Sequence, residues 1–326
     1  MSTFRRLSVK ISESGLVSRE IEITDLDTFH THDVLIKVAY SSLNYKDALS
    51  AFGNKGISRF YPHTPGIDAS GTVVRSKSSD FKAGDRVIVT SFDLGMNTKG
   101  GFSEYISVPA HWVVPLPQNL SLKEAMIFGT AGLTAAMSID RILNSNHSQL
   151  PIVVSGATGG VGSLSLMILK KLGIPTIAYS RRPETLDYLR SLGAGEVIHG
   201  FEDSPKPMLK GIYAAGIDTV GGSILESIIK SIEHNGSVAA CGMALSSSFT
   251  SSVFPFILRG ISLYGIDSAE ADMEWRKELW AKLAKEWKPE NLESISRTVT
   301  LDNLEPEIQQ MLDGKALGRV VVELNS

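Results

Sequence analysis

The chain has 326 residues, 43% hydrophobic and 21% charged, with 32 Lys and Arg against 35 Asp and Glu and a formal net charge of −3. The length predicts about two domains, and the balanced charge gives no electrostatic reason to expect nucleic acid. The single cysteine, Cys241, excludes an intramolecular disulfide and every zinc site that needs two or more cysteines from the chain.

The opening MSTFRRLSVK carries two arginines, but Ser12, Glu13 and Ser14 follow where a signal peptide would need an apolar core. No run approaches 18 uninterrupted apolar residues, so no membrane span is expected and the reading is a soluble, cytoplasmic protein. His30, His32 and Asp33 could hold a metal, but they read as a solvated turn before a strand. Residues 4–125 look β-rich. Val34–Tyr40, Gly71–Val74, Arg86–Thr90 and Glu104–Val108 are strand candidates by their β-branched and aromatic content, separated by turn signals such as Pro65-Gly66 and Gly100-Gly101. Short strands so evenly punctuated fit a small barrel or sandwich.

Near residue 120 the character changes. Ser121-x-x-Glu124 is a capping-box pattern ahead of an Ala-rich helix. Strands and helices then alternate: strand 152–155, helix 161–172, strand 176–179, helix 184–192, and strands 196–198, 217–220 and 237–240. That alternation predicts parallel βαβ units. Further on, 257–264 reads as an apolar strand-like run, able to pair across two subunits. Residues 270–288 read as a helix with Trp275, Leu279, Leu283 and Trp287 on its core face. A helix over 305–312 and a strand over 319–323 close the chain, the strand completing the N-terminal β region.

The sharpest local signal is the passage from Ile152-Val153-Val154-Ser155 through Gly156-Ala157-Thr158-Gly159-Gly160-Val161-Gly162. A strand enters a glycine-rich turn and a helix leaves it, as a dinucleotide-binding βαβ unit requires. In the register Ala157-x-Gly159-x-x-Gly162, Gly159 admits a pyrophosphate and Gly162 lets the helix pack close to the strand. The helix N-terminus then offers its free N–H groups to the phosphates. The next strand ends in Ser180-Arg181-Arg182 rather than in Asp or Glu. A carboxylate there would accept from a ribose 2′-OH, whereas guanidinium groups suit a 2′-phosphate. The pattern favours NADPH, the alternative being a solvated pair of loop charges.

Other chemistries lack their residues. No tyrosine is followed by lysine four positions later, and there is no P-loop, no H-E-x-x-H and no G-x-S-x-G. Cys241, at an apolar strand end, reads as a packed small hydrophobe.

With these features the chain resembles the medium-chain dehydrogenase/reductase superfamily, in its zinc-free quinone oxidoreductase-like half, and within it the acryloyl-CoA reductases. The resemblance rests on Ser42-Leu43-Asn44-Tyr45-Lys46-Asp47, Pro65-Gly66-Ile67-Asp68, Lys82-Ala83-Gly84-Asp85 and Gly129-Thr130-Ala131-Gly132. It also rests on Ile217-Asp218-Thr219-Val220-Gly221, Ala240-Cys241-Gly242, Pro255–Gly260 and Gly265-Ile266-Asp267-Ser268. It implies an α/β fold, a Rossmann-type doubly wound parallel sheet domain at 123–267, and a β-rich GroES-like catalytic domain at 1–122 completed by 268–326. Zinc-dependent members carry Cys at the place of Asn44 and Gly-His-Glu at Gly66-Ile67-Asp68, so a metal-free site is expected.

The resemblance also implies NADPH contacts from Tyr45, Thr158, Gly159, Gly160, Val161, Ser180, Arg181, Arg182, Met243, Ile257, Ser268 and Arg319. It implies hydride transfer to the β-carbon of a small α,β-unsaturated acyl thioester, with quinone or enone reduction as the alternative, and a homodimer. Tyr45, a hydrogen-bond donor at neutral pH, is the first candidate for the enolate oxygen, or else it shields the cofactor. Asn44 orients Tyr45 or the nicotinamide. Asp68 reads as structural. The segment 91–100 departs from the family pattern at a place expected near substrate.

Overall fold

The computed structural model describes residues 3–26, 29, 31–144 and 148–324, and His30 lies outside them. The chain forms two compact units. One comprises 1–130, 269–284 and 292–326; the other comprises 131–268 and 285–291.

The first unit opens with an antiparallel hairpin, β1 (Thr3–Ile11) and β2 (Val17–Asp25), which the sequence pattern did not single out. β3 (Val34–Leu43) follows, then helix α1 (Tyr45–Ala51), β4 (Asp68–Ser76), β5 (Arg86–Thr90), β6 (Tyr105–Val108) and β7 (Val113–Pro115). β3 is buried along nearly its whole length. It therefore reads as a continuous apolar run rather than an alternation, because neighbours cover it on both faces. Helix α2 (Leu122–Leu143) starts with the expected capping box: Glu124 N–H donates to Ser121 Oγ at 3.0 Å, and Ser121 N–H to Glu124 Oε2 at 2.8 Å. α2 has the length and hydropathy of a membrane span, but 78% of its apolar window is buried in the protein, as in a core helix. It is broken at Gly129, where φ is 52° and ψ −154°.

The second unit carries β8 (Ile152–Val154), α3 (Gly160–Lys171), β9 (Thr176–Tyr179), α4 (Leu186–Leu192), β10 (Glu196–Ile198), β11 (Tyr213–Asp218), α5 (Gly222–Lys230), β12 (Ile232–Ala240), α6 (Phe254–Arg259) and β13 (Ser262–Gly265). Its six strands pair in parallel in the order β10-β9-β8-β11-β12-β13. This is the doubly wound order, with the reversal of direction falling between β8 and β11. The expected strand over 257–264 is divided: Pro255 opens α6, Gly260 closes it in a left-handed conformation with φ 62°, and only Ser262–Gly265 pairs with β12.

The chain then returns to the first unit with α7 (Met273–Leu283), β14 (Ser296–Thr300), α8 (Glu305–Leu312) and β15 (Arg319–Glu323). α7 is shorter than the pattern suggested, and its buried face is Arg276, Leu279, Trp280 and Leu283; Trp275 is only half-buried. β15 pairs antiparallel with β3, Val320 opposite Leu43, inside a seven-stranded sheet ordered β14-β15-β3-β4-β5-β7 with β6 also on β3. The closing strand thus completes the N-terminal sheet. Val34, Ile36, Val38, Val87, Val89, Ile106, Val320 and Val322 form the core beneath it.

Candidate active site and cofactor site

In the second unit the glycine turn stands at the reversal point of the sheet, at the carboxyl ends of β8 and β11. Gly156 has φ 56°, and a Cβ there would lie 2.0 Å from Thr219 Oγ1. The tight-turn requirement therefore falls on Gly156, one position before the Ala157 of the sequence register. A Cβ on Gly162 would meet Gly156 O at 2.4 Å, whereas one on Gly159 would meet only Gly156 O, at 3.4 Å. The first lets α3 lie against the turn; the second leaves open space at the helix N-terminus. Gly159 caps α3, so Gly160 and Val161 begin the helix with unpaired N–H groups. The turn is braced from beneath. Ser155 Oγ donates to Asp218 Oδ1 at 2.6 Å, Thr219 N–H donates to Ser155 Oγ at 3.0 Å, and Gly221 N–H donates to Asp218 Oδ2 at 2.8 Å.

Ser180 is buried just after β9. Its Oγ accepts the Arg182 N–H at 3.2 Å and lies 3.2 Å from Thr185 Oγ1. Arg181 is exposed, and Arg182 Nη2 donates to Thr158 Oγ1 at 2.6 Å. One guanidinium is therefore tied to the phosphate turn while its neighbour is open to solvent. Met243 and Ile257 are exposed, on the loop after β12 and on α6. Ser268 accepts from Thr134 Oγ1 at 2.7 Å. Cys241 donates to Asp218 O, and burial followed by the nearby Asp218 carboxylate pushes its thiol up to about 12. At neutral pH it is a thiol, consistent with packing and not with a nucleophile.

The first unit holds a buried polar cluster around Asp68, at the start of β4. Its Oδ2 accepts from Ser42 Oγ at 2.6 Å and from Asn44 Nδ2 at 2.8 Å. Thr130 donates to it through its N–H at 3.0 Å and to Oδ1 through Oγ1 at 2.5 Å. Arg319 is 3% exposed, and Nη2 stands 3.9 Å from Asp68 Oδ2. Its guanidinium donates to Ile127 O at 2.9 Å, Ser42 Oγ at 2.8 Å and Asn44 Oδ1 at 3.1 Å. Arg319 thus spends its donors inside the unit, on Ile127 O, Ser42 and Asn44 itself.

The Asn44 amide donates to Asp68 and, more loosely, to Asp47 Oδ2 at 3.2 Å. Asp47, on the first turn of α1, also accepts the N–H groups of Asn44 at 2.7 Å, Ile67 at 2.8 Å and Gly66 at 3.1 Å. Burial, then the neighbouring Asp68, pushes its carboxyl up to about 7 against those hydrogen bonds. Tyr45, the next residue along from Asn44, is 56% exposed. The pattern Asn-Tyr-Lys-Asp thus alternates a fixed polar residue with an accessible phenol.

The sequence reading passed over Ser42, Asp47 and Thr130 as site residues. Asp47 stood three residues after Asn44, at the capping-box spacing that could have drawn attention to it. The cluster extends to Ser91, whose hydroxyl donates to Thr130 Oγ1 at 2.8 Å, since Thr130 gives its own proton to Asp68. Ser91 and Phe92 both have left-handed backbones, φ 63° and 51°. The Phe92 ring is stacked on Trp112 at 5.6 Å and lies under the Arg276 guanidinium at 4.5 Å. Such strain persists only where the surroundings hold it.

The residues do not fit a catalytic zinc. Ile67 has no donor atom, Asp68 is engaged by Ser42, Asn44 and Thr130, and no cluster of three His, Cys, Asp or Glu exists among the described residues.

A doubly wound sheet with a phosphate-binding turn at its reversal point, joined in one chain to a β unit with a buried polar cluster, defines a dinucleotide-dependent oxidoreductase. The alcohol dehydrogenase GroES-like domain family matches residues 30–118, and the zinc-binding dehydrogenase family matches 160–285. YhfP of Bacillus subtilis, named provisionally as a quinone oxidoreductase, is 43% identical over 314 residues, covering 94% of this chain and 95% of that one. Its crystal structure with NAD bound superposes with a TM-score of 0.96, over 99% of this chain and all of that one. Acrylyl-CoA reductase AcuI of Ruegeria pomeroyi is 38% identical, over 97% of this chain and 98% of that one. The yhdH oxidoreductase of Salmonella enterica in complex with NADP is 36% identical with a TM-score of 0.94, over 98% of this chain and all of that one. The chain belongs to the medium-chain dehydrogenase/reductase superfamily.

Proposed function

We propose that this oxidoreductase reduces the C=C bond of a small α,β-unsaturated acyl thioester of the acryloyl-CoA kind, using NADPH. The supporting observation is the Asn44–Asp68–Arg319 cluster, hydrogen-bonded where zinc-dependent members carry metal ligands and followed directly by the exposed Tyr45. NADPH, when bound, supplies the hydride that ends on the β-carbon. Gly159, Gly160, Val161 and Thr158 hold its pyrophosphate, and Ser180, Arg181 and Arg182 its 2′-phosphate; Met243, Ile257 and Ser268 belong to the same proposal. Hydride addition at the β-carbon leaves an enolate whose charge sits on the thioester oxygen until the α-carbon takes a proton from water, and that charge needs a preorganised donor. The Tyr45 hydroxyl fills that role, and Asn44, locked by Arg319, Asp68 and Asp47, sets its backbone.

The same reading makes the protein a cytoplasmic homodimer. Its support is the edge strand β13 beside the exposed Val253, Phe254, Ile257 and Leu258, a combination that monomers rarely leave uncovered. A quinone or enone substrate, favoured by the name of the Bacillus relative, is the second reading. Rates with NADPH and either acryloyl-CoA or a benzoquinone separate the two. In Tyr45→Phe, turnover of the preferred substrate should fall about tenfold to a thousandfold; unchanged turnover would remove Tyr45 from the chemistry.

A further inference from the structure

The stretch from α1 to Phe60 has a charge pattern that the hydride-transfer chemistry does not require. Lys46, Lys55 and Arg59 are exposed, and none forms an ion pair among the described residues. Phe60 is 72% exposed and stacks on no other ring among the described residues. The only carboxylate between 44 and 61 is Asp47, which is buried. Asp93, which approaches through Asn97, already accepts from Asn97 Nδ2 at 2.9 Å and Thr98 Oγ1 at 3.0 Å.

The backbone under these side chains is fixed. Asn54 N–H donates to Leu49 O at 3.1 Å, Ser58 N–H to Asn54 O at 3.1 Å, and Arg59 N–H to Asn97 Oδ1 at 3.1 Å. Ser50 Oγ meets Ser58 Oγ at 2.7 Å, and the Tyr61 hydroxyl donates to Ser50 O at 2.8 Å. A braced loop that presents unpaired cations and a bare aromatic ring matches one ligand chemistry well: phosphates attached to a purine. The cations attract the anion, and the ring offers a stacking face to the base.

We propose that residues 46–60 form the subsite for the phosphorylated adenosine end of a coenzyme A thioester, with Lys55 and Arg59 on its phosphates and Phe60 under the adenine. This rests on the thioester reading and makes the nucleotide handle, not the acyl group alone, a source of substrate affinity. Lys46, one residue after Tyr45, extends the positive surface toward the reacting end.

The test compares acryloyl-CoA with S-acryloyl-pantetheine, which lacks the nucleotide. In Lys55→Ala/Arg59→Ala, and separately in Phe60→Ala, the ratio of KM for acryloyl-CoA to KM for the pantetheine ester should rise about tenfold, with Phe60→Trp restoring it. The acryloyl-CoA KM of the unmodified enzyme should also climb with salt, more steeply than that of the double variant. A ratio that does not move, or a rise shared equally by both esters, overturns the subsite while leaving the reductase reading intact. If neither ester is reduced, calorimetry with coenzyme A itself, the nucleotide site saturated with NADP⁺, decides. Binding about tenfold tighter to the unmodified protein keeps the subsite, and equal binding removes it.

Discussion

Arg319 Nη1 lies 3.1 Å from Asn44 Oδ1, joining two residues 275 positions apart across the β3–β15 pair. The contact is one arm of a buried guanidinium that stands 3.9 Å from Asp68 Oδ2 and has Asp68 first, then the more weakly felt Asp47, as its favourable charges. Arg319→Met strands those carboxylates without a cation. The loss should be about 3–5 kcal/mol of stability, read by urea denaturation. Arg319→Lys keeps the charge but not the fork, so it should recover part of the stability while turnover stays depressed, because Asn44 loses its fixed acceptor contact.

Gly129 carries a second prediction. A methyl group there would sit 2.5 Å from Asp68 Oδ2, 2.7 Å from Ser42 Oγ and 2.9 Å from Arg319 Nη2, on a backbone that only glycine adopts with ease. Gly129→Ala should therefore cost about 2–4 kcal/mol in strain and displaced hydrogen bonds. Thermal melts give the magnitude. Gly314→Ala, a left-handed glycine with nothing within 4 Å of its added Cβ, is the control for backbone strain alone and should cost only about 1 kcal/mol.

The proposed preference for NADPH turns on two guanidiniums in different settings. Arg182 is tied to Thr158, and Arg181 is exposed. Replacing both by alanine should raise the KM for NADPH about a hundredfold and leave the KM for NADH within about threefold, since only the former has a 2′-phosphate to lose. Equal effects on the two cofactors would remove these residues from the 2′-phosphate site.

Asp47 makes stability depend on pH. Its carboxyl is raised to about 7 in the folded protein, against about 3.9 in an unfolded chain. Between these values the folded state holds more protons, so this group's contribution is full below about pH 4 and is lost as pH rises through 7. The comparison is with Asp47→Asn, which cannot titrate and leaves the Asn44 N–H poorly accepted. The advantage of the unmodified protein over the variant, measured as a difference in Tm, should shrink from pH 5 to pH 8. A gap that widens would show that the four N–H donors around Asp47 hold it ionised throughout.

Local signals carried much of the architecture. The Ser121 capping box, the glycine turn and the β-branched runs of β3 and β5 are each decided within a few residues, and each forms where its spacing predicts. The strand expected over 257–264 is cut short because its proline and glycine punctuation outweighs its apolar content. Pro255 in the first turn and Gly260 at the far end mark a short helix, and only Ser262–Gly265 finds a strand partner. α7 shows another limit. Leu279, Leu283 and Trp287 of the expected stripe are buried and only Trp275 is half-buried, but the buried row also takes in Trp280 and Arg276, whose Nη1 donates to Thr90 O and Oγ1 and whose guanidinium lies over Phe92. A buried arginine is foretold by its partners, and the side chain that receives Nη1, Thr90, lies 186 residues away. The same holds for Asp68. Its neighbours Ser42, Asn44, Thr130 and Arg319 come from β3, the segment before α1, the break in α2 and β15. No window of sequence contains that cluster.

The placement of β15 between β14 and β3 has a consequence for how the protein is made. During synthesis β3 emerges early, yet the edge that receives β15 must wait for nearly 280 more residues. All six strands of the parallel sheet have left the ribosome before that edge is closed, so the second unit has its full complement first and the first unit is finished last. Until then β3 offers unsatisfied backbone groups to any passing strand, and Asn44 and Asp68 stand without their cation. A nascent chain halted before residue 319 therefore holds all the strands of the parallel sheet but an incomplete polar cluster.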